Sequence, residues 1–174
     1  ATLLPARNSG NAFLSANGGA AGDDLKSAVI RRWQSPVDGR IQITGKLTQG
    51  FGPYEQRFHL SNGIRGWVVS SRQGVLGSWT IDPVTKTDKF TPNETVSRDT
   101  NVETTVTAGE FIDFIVDSRD DYESDDFSWS PTITHDSTKW EARKGFQGPS
   151  ERPLTPWQEY AQVLLLTNEA AFID

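Results

Sequence analysis

The chain has 174 residues, of which 35% are hydrophobic and 23% charged, a composition typical of a globular domain with a substantial core. Its formal net charge of -6, with no run of Lys or Arg longer than two residues, argues against a surface for nucleic acid or anionic membranes. Cysteine is absent, which excludes disulfides, thiolate metal sites and a cysteine nucleophile, and no stretch approaches the roughly 20 apolar residues of a membrane span.

The first half of the chain predicts short strands separated by turns. The strands are expected at residues 12–15, 28–33 and 40–47. The segment 40–47 alternates, so that Ile41, Ile43 and Leu47 face inward while its polar residues face out. Proline and an Asp-Gly pair in residues 35–39 predict the turn before it.

The second half continues the same pattern. Residues 64–72 and 76–81 predict a hairpin around the turn at Gln73 and Gly74, and residues 95–107 predict an extended segment. The clearest strand is 111–119, in which Ile112, Phe114 and Val116 share one side. Further strands are expected from the alternation in residues 127–133 and from a short stretch around residue 140. Roughly eight strands with frequent turns predict an all-β fold, an antiparallel β-sandwich resembling a jelly roll.

The end of the chain differs from the rest. Residues 1–144 are expected to form the β-sandwich module, 145–153 a linker and 154–174 an amphipathic helix. Thr155 is a candidate N-cap, Pro156 suits the first helical position, and Gln158 completes a capping box. We expect the helix to pack on the sandwich through Trp157, Ala161 and Leu165. Its remaining apolar residues are expected to meet a neighbouring copy or an upstream domain.

Four segments resemble a known group of proteins: AVIRRWQSPVDGRIQITGKL, IRGWVVSSRQGVLGSW, FIDFIVDSRDDYESDDFSWSPTI and LTPWQEYAQVLLLTNEAAFID. They are similar to the C-terminal part of large secreted planctomycete proteins, which carry an N-terminal c-type cytochrome domain and several domains of unknown function. The resemblance implies an extracytoplasmic location (periplasmic or secreted), glycan-related biology, and upstream domains of the same protein as partners. The haem signature C-x-x-C-H is missing, so no haem is expected in this part.

Aromatic and charged residues that share strand faces predict a carbohydrate site. A pyranose ring stacks its C–H face on an aromatic ring, while Arg and Asp bind its hydroxyls by charge-assisted hydrogen bonds. The candidate carbohydrate-binding residues are Arg31, Trp33, Arg65, Trp67, Trp79, Asp117 and Arg119. The competing interpretation is that the tryptophans fill the core and the charges form structural ion pairs.

The acidic stretch 117–126 is a candidate for calcium, because Ca²⁺ takes roughly six to eight oxygen ligands. A second acidic pair follows the glycine-rich first loop, and jelly-roll modules often clamp such a loop to a late strand through calcium. The candidate ligands of a structural calcium ion are Asp23, Asp24, Asp125 and Asp126. The competing interpretation is a solvated, charged turn.

Signals for an enzyme are weak. The two histidines, His59 and His135, form no H-E-x-x-H motif, and no G-x-S-x-G motif is present. Asp113 and Asp117 lie four residues apart on one strand, so their backbones are separated by about 13 Å, more than glycosidase carboxylates require. We therefore expect a non-catalytic carbohydrate-binding module that anchors a larger protein to a polysaccharide. The alternatives are a structural domain that packs on upstream domains without binding glycan and, more weakly, a glycan-acting enzyme.

Overall fold

A computed structural model of the chain describes residues 12–22, 27–49, 62–82, 96–119 and 125–146. The predicted helix at 154–174, and the linker from residue 147 onward, lie outside these described residues. The strands are β1 (Phe13–Leu14), β2 (Gly18–Ala20), β3 (Val29–Gln34), β4 (Gly39–Gln49), β5 (Ile64–Ser70), β6 (Gly74–Ile81), β7 (Val96–Val106), β8 (Phe111–Asp117), β9 (Asp126–Ser128), β10 (Thr132–His135) and β11 (Thr138–Glu141), followed by the one-turn helix α1 (Ala142–Gly145).

The strands form two antiparallel sheets, which confirms the predicted β-sandwich. Sheet A has the order β1-β2-β9-β4-β10-β11, and β7 pairs with β4 along its other side. Sheet B has the order β3-β8-β5-β6. Strand β4 organises sheet A, because β7 follows its whole length while β9 and β10 share its second edge.

The core lies between the two sheets and follows the alternation in the sequence. Ile41, Ile43 and Leu47 of sheet A are at most 1% exposed, and Ile112 and its neighbours on β8 face them from sheet B. Trp129 sits between the sheets with its ring edge-on to Phe114, at a centroid distance of 5.5 Å. The predicted inward sides of β4 and β8 are therefore confirmed.

Three features of the described residues differ from the predicted elements. Strand β2 occupies part of a predicted loop, because Gly18 and Gly19 let three strands approach closely: an added Cβ on Gly18 would lie 1.9 Å from the carbonyl oxygen of Phe127. The run 127–133 is two strands, β9 and β10, separated at residues 129–131. A one-turn helix ends at Gly145, where the linker was expected to begin. Within the described residues, no helix has the length and apolar character needed to cross a membrane.

Candidate functional site

Three of the residues predicted to bind carbohydrate lie on the inward side of their strands. Trp33 is 4% exposed and packs against Trp140 at a centroid distance of 5.3 Å. Trp79 is half-buried and meets Trp129 edge-on at 6.0 Å. The side of β3 that Trp33 and Arg31 share was identified correctly, but that side faces sheet A. Trp33 and Arg31 are therefore corrected to interior positions and leave the candidate carbohydrate site. Trp79 is half-buried on the inward side of β6 and packs against the core, so its role in sugar binding stays a prediction.

Arg31 has a structural role at its interior position. Its side chain is buried, and its guanidinium donates hydrogen bonds to the carbonyls of Ser15 and Ala16, the latter at 3.0 Å. Burial lowers the pKa of Arg31, since the protein interior disfavours the charged form. These bonds tie the turn between β1 and β2 to sheet B.

The other four predicted residues meet on the outer face of sheet B. Arg65 on β5 lies opposite Asp117 on β8, and its Nε and Nη2 each donate to a different carboxylate oxygen at 3.1 Å. The same guanidinium lies over the Trp67 ring, 5.4 Å from its centroid. The side chain of Asp117 is 5% exposed and that of Arg65 is 36% exposed. The carboxylate of the pair is therefore buried, while the arginine is partly accessible to solvent.

Arg119 joins this group just after β8. Its backbone has φ 63°, a left-handed conformation that is uncommon for a residue other than glycine, and its N–H donates to Asp117 Oδ1 at 2.9 Å. Its Nη1 donates to the carbonyl of Asn62 at 2.9 Å and to Asp82 Oδ1 at 3.2 Å. A side chain at Gly63 would collide mainly with the backbone of β6, since an added Cβ would lie 2.2 Å from the carbonyl oxygen of Ile81, and the same Cβ would lie 3.0 Å from Arg119 Nη1.

Two residues that sequence reasoning missed complete the group, Asn62 and Asp82. They flank the β5–β6 hairpin, whose register pairs Ile64 with Ile81 and so brings its two ends side by side. This hairpin was predicted, so the register was an available signal. The side-chain nitrogen and oxygen of Asn62 are buried, and neither has a hydrogen-bond partner among the described residues. We call the whole group the Trp67 cluster: Asn62, Arg65, Trp67, Asp82, Asp117 and Arg119.

A second arginine–carboxylate–aromatic group lies on the same face. Arg32 Nε and Nη2 donate to the two oxygens of Asp113 at 2.7 Å each, and the guanidinium lies 4.6 Å from the centroid of the Phe111 ring. The hydrogen bond to Asp113 raises the pKa of Arg32. We call these three residues the Arg32 cluster. Its contacts are shorter than those of Arg65, and its arginine is 29% exposed in the side chain.

Comparisons with protein-family models, curated proteins and solved structures found no match to this chain. The resemblance to the C-terminal part of secreted planctomycete proteins therefore stays a prediction.

The calcium prediction falls partly outside the described residues, which exclude Asp23 and Asp24. Asp125 is buried and accepts a hydrogen bond from Gln49 Nε2 at 3.0 Å. Asp126 is half-buried, and this burial raises its pKa. No group of three or more potential metal ligands from His, Cys, Asp and Glu occurs in the parts of the chain that are described. The calcium site stays a prediction.

The residues weighed for acid–base chemistry are engaged in structural contacts where they are described. Asp113 and Asp117 each accept two hydrogen bonds from an arginine. His135 lies at the end of β10 with Nδ1 2.9 Å from the carbonyl oxygen of Arg40, while His59 lies outside the described residues.

Proposed function

We propose that this protein is a non-catalytic carbohydrate-binding module and that the Trp67 cluster is its binding site. The observation that carries the proposal is the position of Trp67, half-buried on the outer face of sheet B beside an arginine paired with a carboxylate. Sugars present an apolar C–H face and a rim of hydroxyls. An aromatic ring next to Arg and Asp matches both at once.

The cluster supplies hydrogen-bonding groups of both kinds. Arg65 and Arg119 carry N–H donors, and Asp82, with a side chain 72% exposed, carries carboxylate acceptors at the surface. A sugar hydroxyl is both donor and acceptor, so it can bridge such groups. The formal charges of the two arginines balance those of Asp117 and Asp82, and this balance suits a ligand without net charge.

The cluster is also held in place before a ligand binds. Arg65 is fixed by its two bonds to Asp117 and by its contact with the Trp67 ring. Arg119 is fixed by its bond to the Asn62 carbonyl. Side chains that are already ordered lose less conformational entropy on binding, which favours affinity at a small site.

A second candidate function is docking of another protein domain, such as an upstream domain of the same protein. The outer face of sheet B carries Ile30 and Ile115 beside Trp67, and Val75 at its edge is 63% exposed. Aromatic residues and arginine are enriched at protein interfaces. The observation that favours this alternative is thus the presence of these apolar residues on the same face as the two clusters.

Affinity electrophoresis on a panel of soluble polysaccharides tests the proposal, with glucans, xylan, mannan, galactan and alginate in the gel. We expect at least one polysaccharide to retard the wild type. Trp67→Ala should weaken this binding about tenfold or more, the effect of losing a central aromatic contact. Phe111→Ala is the matched control, because it removes the aromatic ring of the Arg32 cluster on the same face.

Retardation by none of the polysaccharides would contradict the proposal. An equal loss of binding in the two variants would also contradict the assignment of the site, because it would show that the whole face contributes rather than the Trp67 cluster. Circular dichroism and thermal melting of each variant establish that it is folded before binding is compared.

A further inference from the structure

Arg119 is placed by several independent features of the backbone. Its left-handed φ of 63°, the bond from its N–H to Asp117 and the bond from Nη1 to the Asn62 carbonyl all act on one side chain. A left-handed conformation at a long side chain costs free energy and persists where surrounding contacts hold it, often at functional sites. The chain thus directs this guanidinium to a defined position between β5, β6 and β8.

Asp82 neutralises this guanidinium from the solvent side. Its Oδ1 accepts from Arg119 Nη1 at 3.2 Å, yet its side chain is 72% exposed, whereas the Arg119 side chain is 29% exposed. An exposed pair of this kind adds little to stability. Its carboxylate nevertheless occupies a hydrogen-bonding position on the Arg119 guanidinium, the group that would otherwise attract a carboxylate or sulfate.

We propose that Asp82 sets the charge selectivity of the Trp67 cluster: by acting as the built-in counter-ion of Arg119, it admits neutral glycans and disfavours glycans that carry carboxylate or sulfate groups. This inference rests on the proposed function. Asp117 already balances Arg65, so an acidic ligand meets no unbalanced cation while Asp82 is in place. The net charge of -6 acts in the same direction, because it repels polyanions at long range.

The test uses Asp82→Asn, which keeps the shape of the side chain and removes its charge. Asp136→Asn is the matched control: its side chain is 88% exposed in the turn between β10 and β11, and it changes the net charge by the same amount. The first probe is the neutral polysaccharide with free primary hydroxyls that retards the wild type most strongly, compared with the same polymer after oxidation of those hydroxyls to carboxylates. The second probe is inorganic sulfate, followed through the Arg119 Nε–H signal in NMR titrations.

We expect the wild type and Asp136→Asn to bind the oxidised polymer about tenfold more weakly than the neutral one, a change typical of introducing one unfavourable charge contact. Asp82→Asn should recover most of that loss and should bind sulfate at Arg119 at lower concentrations than either. Equal behaviour of Asp82→Asn and Asp136→Asn with both probes would overturn the inference.

The two probes separate this inference from the proposed function. If no polysaccharide binds the wild type, the proposed function is wrong, and the sulfate titration alone decides whether Asp82 shields Arg119. If a neutral polysaccharide binds and the wild type binds its oxidised form equally well, the proposed function stands and the role of Asp82 is wrong.

Discussion

Strands β5 and β8 run antiparallel in sheet B, so an arginine–carboxylate group can form at each end of the pair. At one end, Glu110 precedes β8 and accepts hydrogen bonds from Ser70 Oγ at 2.5 Å, Thr107 N at 2.9 Å and Arg72 Nε at 3.1 Å. At the other end lies the Trp67 cluster. An arginine–carboxylate pair therefore occurs at each end of the same two strands, in different states of hydrogen bonding.

We call the Glu110 end of the β5–β8 pair closed, because its carboxylate is buried and hydrogen-bonded, and the Trp67 end open, because it has polar groups that are exposed or lack hydrogen bonds to the described residues. The Glu110 side chain is 2% exposed, and both of its carboxylate oxygens accept bonds from three parts of the chain. At the Trp67 end, Asp82 is exposed, and the buried amide of Asn62 has no hydrogen-bond partner among the described residues. A closed group stabilises the fold, whereas an open one retains capacity to bind, and this contrast leads to four predictions.

The largest expected effect is on stability, at the closed end. Glu110→Ala should lower the free energy of unfolding by about 3 kcal/mol, because it leaves the Ser70 hydroxyl and the Thr107 N–H without their acceptor. Urea denaturation measures the change, and polysaccharide binding by the folded variant should equal that of the wild type. A loss of stability below about 1 kcal/mol would show that the closed end is not a major contributor.

The pH dependence of stability should come from the same carboxylate. Burial alone would raise the pKa of Glu110, but hydrogen bonds from Ser70, Thr107 and Arg72 outweigh it and lower the pKa from 4.5 to about 2. A lowered pKa in the folded state stabilises the protein above pH 4.5, and the stabilisation is lost as the pH falls toward 2. From this group alone, the free energy of unfolding should be about 2 kcal/mol lower at pH 3 than at pH 7.

The control for the pH prediction is Glu110→Gln, which cannot ionise. Its unfolding free energy should change less between pH 7 and pH 3 than that of the wild type, by about 2 kcal/mol. Parallel pH profiles for the two proteins would contradict the assignment of the acid transition to Glu110.

Arg32 and Arg65, on the outer face of sheet B, should differ in what they contribute: Arg32 mainly stability and Arg65 mainly binding. Arg32→Lys should lower the free energy of unfolding by about 1 kcal/mol, because lysine replaces neither the paired 2.7 Å bonds to Asp113 nor the stacking on Phe111. Arg65→Lys should lower the free energy of unfolding by only a few tenths of a kcal/mol, since the hydrogen bonds of Arg65 are 3.1 Å long and its side chain is 36% exposed. Polysaccharide binding should show the opposite order, with the larger loss in Arg65→Lys.

The fold could be read from the sequence further than the site could. Alternation of apolar residues identified the inward sides of β4 and β8, because burial on one face of a strand leaves a pattern of period two. The same pattern could not say which side of β3 faces sheet A, since Arg31 and Trp33 on one side, and Ile30 and Arg32 on the other, are similarly amphipathic. Arg31 occupies an interior position because backbone carbonyls in the β1–β2 turn satisfy its charge, and such a contact has no local sequence signal.

The site itself depends on contacts between distant segments. Pairing of Arg65 with Asp117 follows from the β5–β8 register, across 52 residues of sequence. The conformation of Arg119 and the approach of Gly63 and Asp82 depend on how the hairpin ends meet β8. The sequence could name four members of the Trp67 cluster, and the register of the predicted hairpin could have added Asn62 and Asp82, but the assembly of the six residues requires tertiary structure.

A substitution at Asn62 is expected to have a small effect on stability, of the opposite sign. A buried amide without hydrogen bonds costs roughly 1–3 kcal/mol, and an apolar side chain of similar shape avoids this cost. Asn62→Leu should therefore raise the free energy of unfolding by about 0.5 kcal/mol after loss of some packing, as measured by urea denaturation. Gln34→Leu, at an exposed position on the same face of sheet B, is the control and should change stability little.

If Asn62→Leu instead destabilises the protein by more than about 1 kcal/mol, the amide is part of a structural network and this end of the sheet is as closed as the Glu110 end. If it stabilises the protein while weakening polysaccharide binding, the folded state carries an unfavourable polar group that benefits the ligand complex, as expected of a binding site rather than a structural one.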